Sequence, residues 1–184
     1  MKRFVVAMSS LALLAPGCST DTHHDDPAHH DDPARTAPAT TSDTANRPVG
    51  QVGDTLNLMR ADGSKIAVTV TEIVNPATVA KDKAESDKTY LATKLTLTDT
   101  GSTSVDGDVN VNVFIVGSDG QSYGADLNDV TECTNFELGA FHLTPGESAS
   151  GCVVFALPHG VTPGKIQYKP SAGFAQDSGE WIVR

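Results

Sequence analysis

From Gly53 onward the chain is written in alternation. In Lys65 to Val74, KIAVTVTEIV, apolar Ile66, Val68 and Val70 interleave with Ala67, Thr69 and Thr71, the two-residue period of a strand with one buried face. Thr55 to Met59 is a shorter alternating run. Tyr90 to Thr98, YLATKLTLT, holds Leu91, Leu95 and Leu97 on one phase, interrupted only by Thr93. Asn110 to Val116, NVNVFIV, starts in strict alternation and ends in a continuous apolar run. Cys152 to Leu157 and Lys165 to Tyr168 complete the main set, with Glu180 to Val183 as a candidate last strand. Turn residues punctuate these runs at Ala61-Asp62-Gly63, Ser118-Asp119-Gly120 and Thr144-Pro145-Gly146. No window of about 11 residues sustains a helical period. About seven or eight short strands predict an all-β domain over residues 53–184, folded as a β-sandwich.

The N-terminal quarter is patterned differently. Lys2 and Arg3 precede a run, Phe4 to Ala15, that is apolar apart from Ser9 and Ser10, and Pro16, Gly17 and Cys18 follow. About a dozen apolar residues suit a signal peptide, here residues 1–17, and fall short of the roughly 20 that span a bilayer. LLAPGC resembles a bacterial lipobox, which makes Cys18 the residue to be lipidated. Ala15 stands where that pattern usually has Leu, so ordinary secretion is the other reading. From Ser19 to Val52 there is no aromatic residue, no Leu and no Ile, and Val49 and Val52 are the only large aliphatics. Such a segment buries too little apolar surface to offset the entropy of ordering, so residues 18–52 are expected to form a disordered tether. As a flexible coil it would span about 30–35 Å, and drawn into polyproline geometry about 100 Å.

Cysteine usage fits export. If Cys18 carries lipid, Cys133 and Cys152 remain as an even pair, for which a disulfide is the default outside the cell. With 18 residues between them, the chain-entropy model assigns the bond roughly 3 kcal/mol. A zinc site would need more ligands than this pair and His142 supply. The net charge is −10, and removal of residues 1–17, with two of the 13 basic residues, makes it 11 − 23 = −12. That sign excludes a nucleic-acid partner and argues that membrane attachment comes from acyl chains.

Four ordered segments carry a family resemblance: VGDTLNL, YLATKLTLTDTGSTSVDGD, VFIVGSDGQSY and LTPGESASGCVVFALPHG. Together, over roughly Gly53 to Tyr168, the chain resembles the telokin-like, immunoglobulin-type domain of Gram-positive surface lipoproteins. That family has no known function and is itself similar to a secreted mycobacterial immunogenic protein. The resemblance implies an immunoglobulin-like β-sandwich and a surface address, and it carries no catalytic residue. The family commonly places Asn after the long central strand, where this chain has Asp99.

Candidate chemistry concentrates in the tether. The unit HHDDPA occurs twice, so His23, His24, Asp25 and Asp26 are followed by His29, His30, Asp31 and Asp32. Imidazole and carboxylate are ligands for zinc, copper or nickel. In polyproline geometry the two His pairs lie on one side, about 19 Å apart, which predicts two weak, independent sites and no preformed cage. A solvated spacer is the competing reading. Six Asp and two Arg give residues 19–52 a net of −4, which approaches zero once the four His charge below about pH 6.5. ARTAPATTSDT is a candidate for O-glycosylation or an unmodified linker.

The remaining motifs are weaker. DGDVNVN, Asp106 to Asn112, opens like a calcium loop but has Val111 where Gly is required and Gly117 where the bidentate Glu belongs, so it reads as a strand with one polar face. PGESASG places Ser150 where a nucleophile elbow needs Gly. His142 and His159 have no evident Ser or Cys partner. KDKAESDKT, Lys81 to Thr89, reads as a solvated loop, and Trp181 as a cap on the sandwich or an exposed contact. The expectation is a non-enzymatic lipoprotein on the extracytoplasmic face of the cell membrane, with no resident cofactor and an unidentified protein or envelope partner. The alternative is an extracytoplasmic metal-binding lipoprotein that uses the His tract.

Overall fold

Alternation along single strands becomes two facing sheets. The computed structural model describes residues 47–80, 83–173 and 177–184. Cys18, the HHDDPA repeat and ARTAPATTSDT lie outside the described residues. The strands are β1 (Val49–Gln51), β2 (Thr55–Met59), β3 (Lys65–Val74), β4 (Lys88–Asp99), β5 (Val105–Asp108) and β6 (Val113–Gly117). They continue with β7 (Ser122–Tyr123), β8 (Ala140–Leu143), β9 (Ser148–Pro158), β10 (Pro163–Tyr168) and β11 (Gly179–Ile182). One sheet has the order β2-β3-β4-β9 and is antiparallel throughout. The other has the order β1-β11-β10-β6-β7, with β1 parallel to β11. A small β5-β8 pair adds Val105, Phe141 and Leu143 to the same core.

The inward phases fill that core. Ile66, Val68 and Val70 of β3 and Leu91, Leu95 and Leu97 of β4 are all at most 1 % exposed. From the facing sheet come Ile115, Ile166, Tyr168 and Trp181, likewise sealed from solvent. Side chains of this size contribute roughly 1.5–3 kcal/mol each on full burial. A bulge between Val70 and Glu72 explains why the inward phase of β3 skips from Val70 to Ile73. Trp181 is a buried cap, its indole Nε1 donating to the Asp54 carbonyl at 2.9 Å. Among the described residues, no helix is long and apolar enough to cross a membrane.

Two expectations change. Val49–Gln51 pairs with Glu180–Ile182, so the sandwich takes in residues that composition assigns to the tether. Asn110–Val116 is not one strand. Val109–Asn112 forms a single helical turn, α1, and β6 begins at Val113. Asp108 starts the turn, its Oδ1 accepting from Asn110 N at 2.8 Å. Val109 and Asn112 are buried while Val111 is half exposed, a three-residue spacing that the Val-Asn alternation disguises. Asn112 then hydrogen-bonds the buried Tyr168 hydroxyl, whose pKa burial pushes up to about 12.

Candidate functional site

The outward face of β2-β3-β4-β9 is built from strand phases that the core does not use. Thr55, Thr69, Thr96 and Ser150 fall in register across all four strands, and Asn57, Ala67, Thr98 and Ser148 form the next row. The hydroxyls pair laterally: Thr55 with Thr69 at 2.7 Å, Thr96 with Ser150 at 2.8 Å and Thr98 with Ser148 at 2.7 Å. Neither row contains a charged residue. Beyond them Lys94 Nζ donates to Glu72 Oε2 at 2.6 Å, closing the row with a neutralised pair.

Further along the same face the polarity inverts. Val74, Ala92 and Val154 share a row, and Tyr90 sits opposite Ala156. Two loops roof this patch. Ala77 and Val79 come from one, and Val130 and Cys133 from the other. Val79 and Val130 form a bridge, and Thr131 N donates to the Thr78 carbonyl at 3.0 Å. The second loop also covers the free edge of β9. Asp126 N donates to the Val154 carbonyl at 2.7 Å and Cys152 N to the Thr134 carbonyl at 2.9 Å, which satisfies backbone groups that an open edge leaves unpaired. Cys133 and Cys152 are joined in a disulfide with Cα atoms 6.2 Å apart, pinning the loop to the strand as the cysteine count implies.

Where roof and bare rows meet there is a shallow cleft of about 380 Å³. Thr71, Lys94, Thr96, Thr134, Ser150 and the disulfide line it. Thr71 Oγ1 donates to the Lys94 carbonyl at 3.2 Å. This junction was not legible as a site, because Thr71, Thr96 and Ser150 meet only through pairing. Its one sequence signal is Thr or Ser recurring on the polar phase of β3, β4 and β9.

The other candidates separate. Asp106 accepts from His142 Nδ1 across the β5-β8 pair, in the open. That bond and the Asp106 charge raise the His142 pKa above the ordinary histidine value. Asp108 serves α1, so these two carboxylates have different partners. Ser148 and Ser150 lie on β9 and pair with β4 hydroxyls, and Glu147 Oε2 accepts from Thr144 N at 2.8 Å within the preceding turn. His159 Nε2 lies 3.0 Å from the Lys88 carbonyl. Among the described residues, no three His, Cys, Asp or Glu converge as a metal site. On the opposite sheet's outward face Glu180 is nearly buried. Burial pushes its carboxyl up, but hydrogen bonds from Lys165 (2.8 Å) and Gln167 (2.6 Å), with the charges of Lys165 and Arg47, outweigh that and hold the pKa below the usual carboxylate value.

Two facing sheets packed on one core, with two long loops folded over the outer face of one of them, make an immunoglobulin-like β-sandwich. The chain belongs to the family defined by a domain of unknown function, DUF4352, whose pattern matches residues 59–178. No curated protein matches it in sequence. In three dimensions it is similar to MPT63, a secreted protein from Mycobacterium tuberculosis, with 15 % identity and a TM-score of 0.57 over 76 % of this chain and 100 % of that one. It is also similar to YcdA, a predicted lipoprotein from Bacillus subtilis, with 14 % identity and a TM-score of 0.53 over 73 % of this chain and 38 % of that one. At such identities the likeness is one of fold.

Proposed function

We propose that this protein is a non-enzymatic surface lipoprotein, held by acyl chains on Cys18 at the extracytoplasmic face of the cell membrane. Its sandwich binds a protein or a component of the envelope. The observation that carries the reading is the Cys133–Cys152 bond. It uses two of the three cysteines and leaves Cys18 over, three positions after Ala15 ends the apolar run that begins at Phe4. An unpaired sulfur in an exported chain calls for a chemical role, and lipidation supplies one. The secreted and lipoprotein descriptions of the two structural neighbours point the same way. Mass spectrometry of the protein from fractionated cells is expected to find a lipid-modified Cys18 in the membrane fraction. An unmodified thiol at position 18, with the protein in the medium, would overturn the anchor. Full-length protein used as bait in envelope extracts is expected to retain a partner, and to retain it when residues 22–34 are deleted.

The second reading, metal capture by the tether, is favoured by the exact repetition of HHDDPA. Zinc or nickel added to the mature protein would then bind at the repeat and be lost with residues 22–34.

A further inference from the structure

The bare rows on β2-β3-β4-β9 depart from what an acidic molecule ordinarily presents. The chain carries 13 basic and 23 acidic residues. The outward face of the other sheet is charged, with Arg47, Lys165 and Glu180 in one ion cluster and Lys169 Nζ 4.6 Å above the Phe114 ring. The two hydroxyl rows carry no charge at all. Nor do they carry the aromatic and Arg anchors that dominate protein–protein contacts. Of the two lysines that flank the rows, Lys94 is neutralised by Glu72 and Lys65 lies beyond the Asn57–Ala67 row, at the end away from the cleft. An anionic ligand therefore gains little at the cleft and meets the net negative charge of the whole chain.

What the face does offer is hydrogen-bonding capacity without charge. A hydroxyl has one donor and two acceptor lone pairs. Each paired couple, such as Thr96 with Ser150, uses one donor internally and keeps one O–H and several lone pairs for a ligand. Strand spacing sets neighbouring couples about 9.6 Å apart across the sheet, two strand spacings, and about 6.8 Å apart along it. At one end the rows run into the cleft, which shares Thr96 and Ser150 with them and adds Thr71 and Thr134. Its volume, about 380 Å³, falls in the range of small-ligand sites. A neutral hydroxylated polymer matches all of this: it brings mixed donors and acceptors, needs no charge and lies along an extended face.

We propose that the Thr/Ser rows of β2-β3-β4-β9 and the adjoining disulfide-walled cleft form a binding site for an uncharged polysaccharide chain. The site deepens the reading of the protein as an envelope-facing binding module and rests on it. It places the contact on a sheet face and the cleft beside it.

The test is an amide-resolved NMR titration of the mature full-length chain. Probes are three neutral hexasaccharides, an α-glucan, a β-glucan and a mannan, with an oligogalacturonate as the anionic comparison. A neutral probe is expected to shift the amides of Thr71, Thr96, Thr134 and Ser150, with little effect from the oligogalacturonate. Thr96→Arg on the strand and Thr134→Arg on the roof loop should each weaken binding by at least about tenfold. Lys165→Glu, on the other sheet, should leave it unchanged. Unshifted amides with every neutral probe at about 10 mM would overturn the site, as would binding that both arginine variants retain. If envelope extracts still yield a partner after such a blank, and Thr96→Arg does not disturb it, the binding-module reading stands with a protein partner and the polysaccharide is removed.

Discussion

The outward face of β2-β3-β4-β9 is one pleated surface with two characters. On β9, Ser150 is exposed and pairs with Thr96, while Val154, four residues along on the same face, is 1 % exposed beneath the two loops. Strand geometry is common to both positions, so the roof decides the chemistry. Under it, the face is a second small core of Ala77, Val79, Tyr90, Ala92, Val130 and Val154. Outside it, past the Lys94–Glu72 pair, the face presents two uncharged rows rich in hydroxyls. A sheet whose inner side already serves the main core can therefore bury part of its other side as well, and the disulfide marks where that burial stops.

One pair of substitutions can break this comparison. Val154→Asp places a carboxylate under the roof, and its expected cost is about 3–5 kcal/mol. Ser150→Asp, on the same strand and face, should stay within about 0.5 kcal/mol. Equal losses in chemical denaturation would mean that the roof does not seal the patch. Next in size is the border itself. Cys133→Ala with Cys152→Ala should lower stability by about 3 kcal/mol. Hydrogen exchange should then quicken in residues 126–136 ahead of β2 and β3, whereas uniform quickening would deny the roof any independence.

Much of this fold was legible. β2 and β3 begin and end where alternation places them, because both have a polar phase open to solvent over most of their length. β4 and β9 extend one to four residues beyond their apolar runs, since Ser148 and Ser150 are strand residues by virtue of their partners. Short elements were not legible. β1, β5, β7 and β8 have two to four residues each, too few to display a period. α1 was misread because Asp108 capping and Asn112 burial against Tyr168 are tertiary facts. Of the candidate site, the disulfide followed from cysteine arithmetic. The in-register hydroxyl rows did not, since register is a property of pairs of strands.

Smaller effects sharpen the boundary. Just past the β9-edge segment, Leu138 is 90 % exposed with φ 51, a backbone region that costs a branched residue roughly 1 kcal/mol. Leu138→Gly should raise the melting temperature by a degree or more, equivalent to about 0.5–1 kcal/mol. No gain would indicate that the leucine packs against something. The smallest effect belongs to His142. Asp106 raises its folded pKa, so its stabilising contribution is complete below the unfolded value of about 6.5 and is lost as pH rises through the raised folded value. The melting-temperature difference between wild type and His142→Gln should be largest near pH 5.5 and vanish by about pH 9. A difference that grows with pH would reverse the assignment.

The short first strand has a mechanical consequence. Because β1 runs parallel to β11, tension arriving from the N-terminal side acts along the strand axis and shears its hydrogen bonds together instead of unzipping them singly. Glu180 N bonded to the Pro48 carbonyl, and Arg47 near Glu180, lengthen that joint. A few residues later Asp54 is fastened to the Trp181 indole, so force that strips β1 next meets the largest side chain in the interior. The sandwich thus resists drag at the end where a leash would join it.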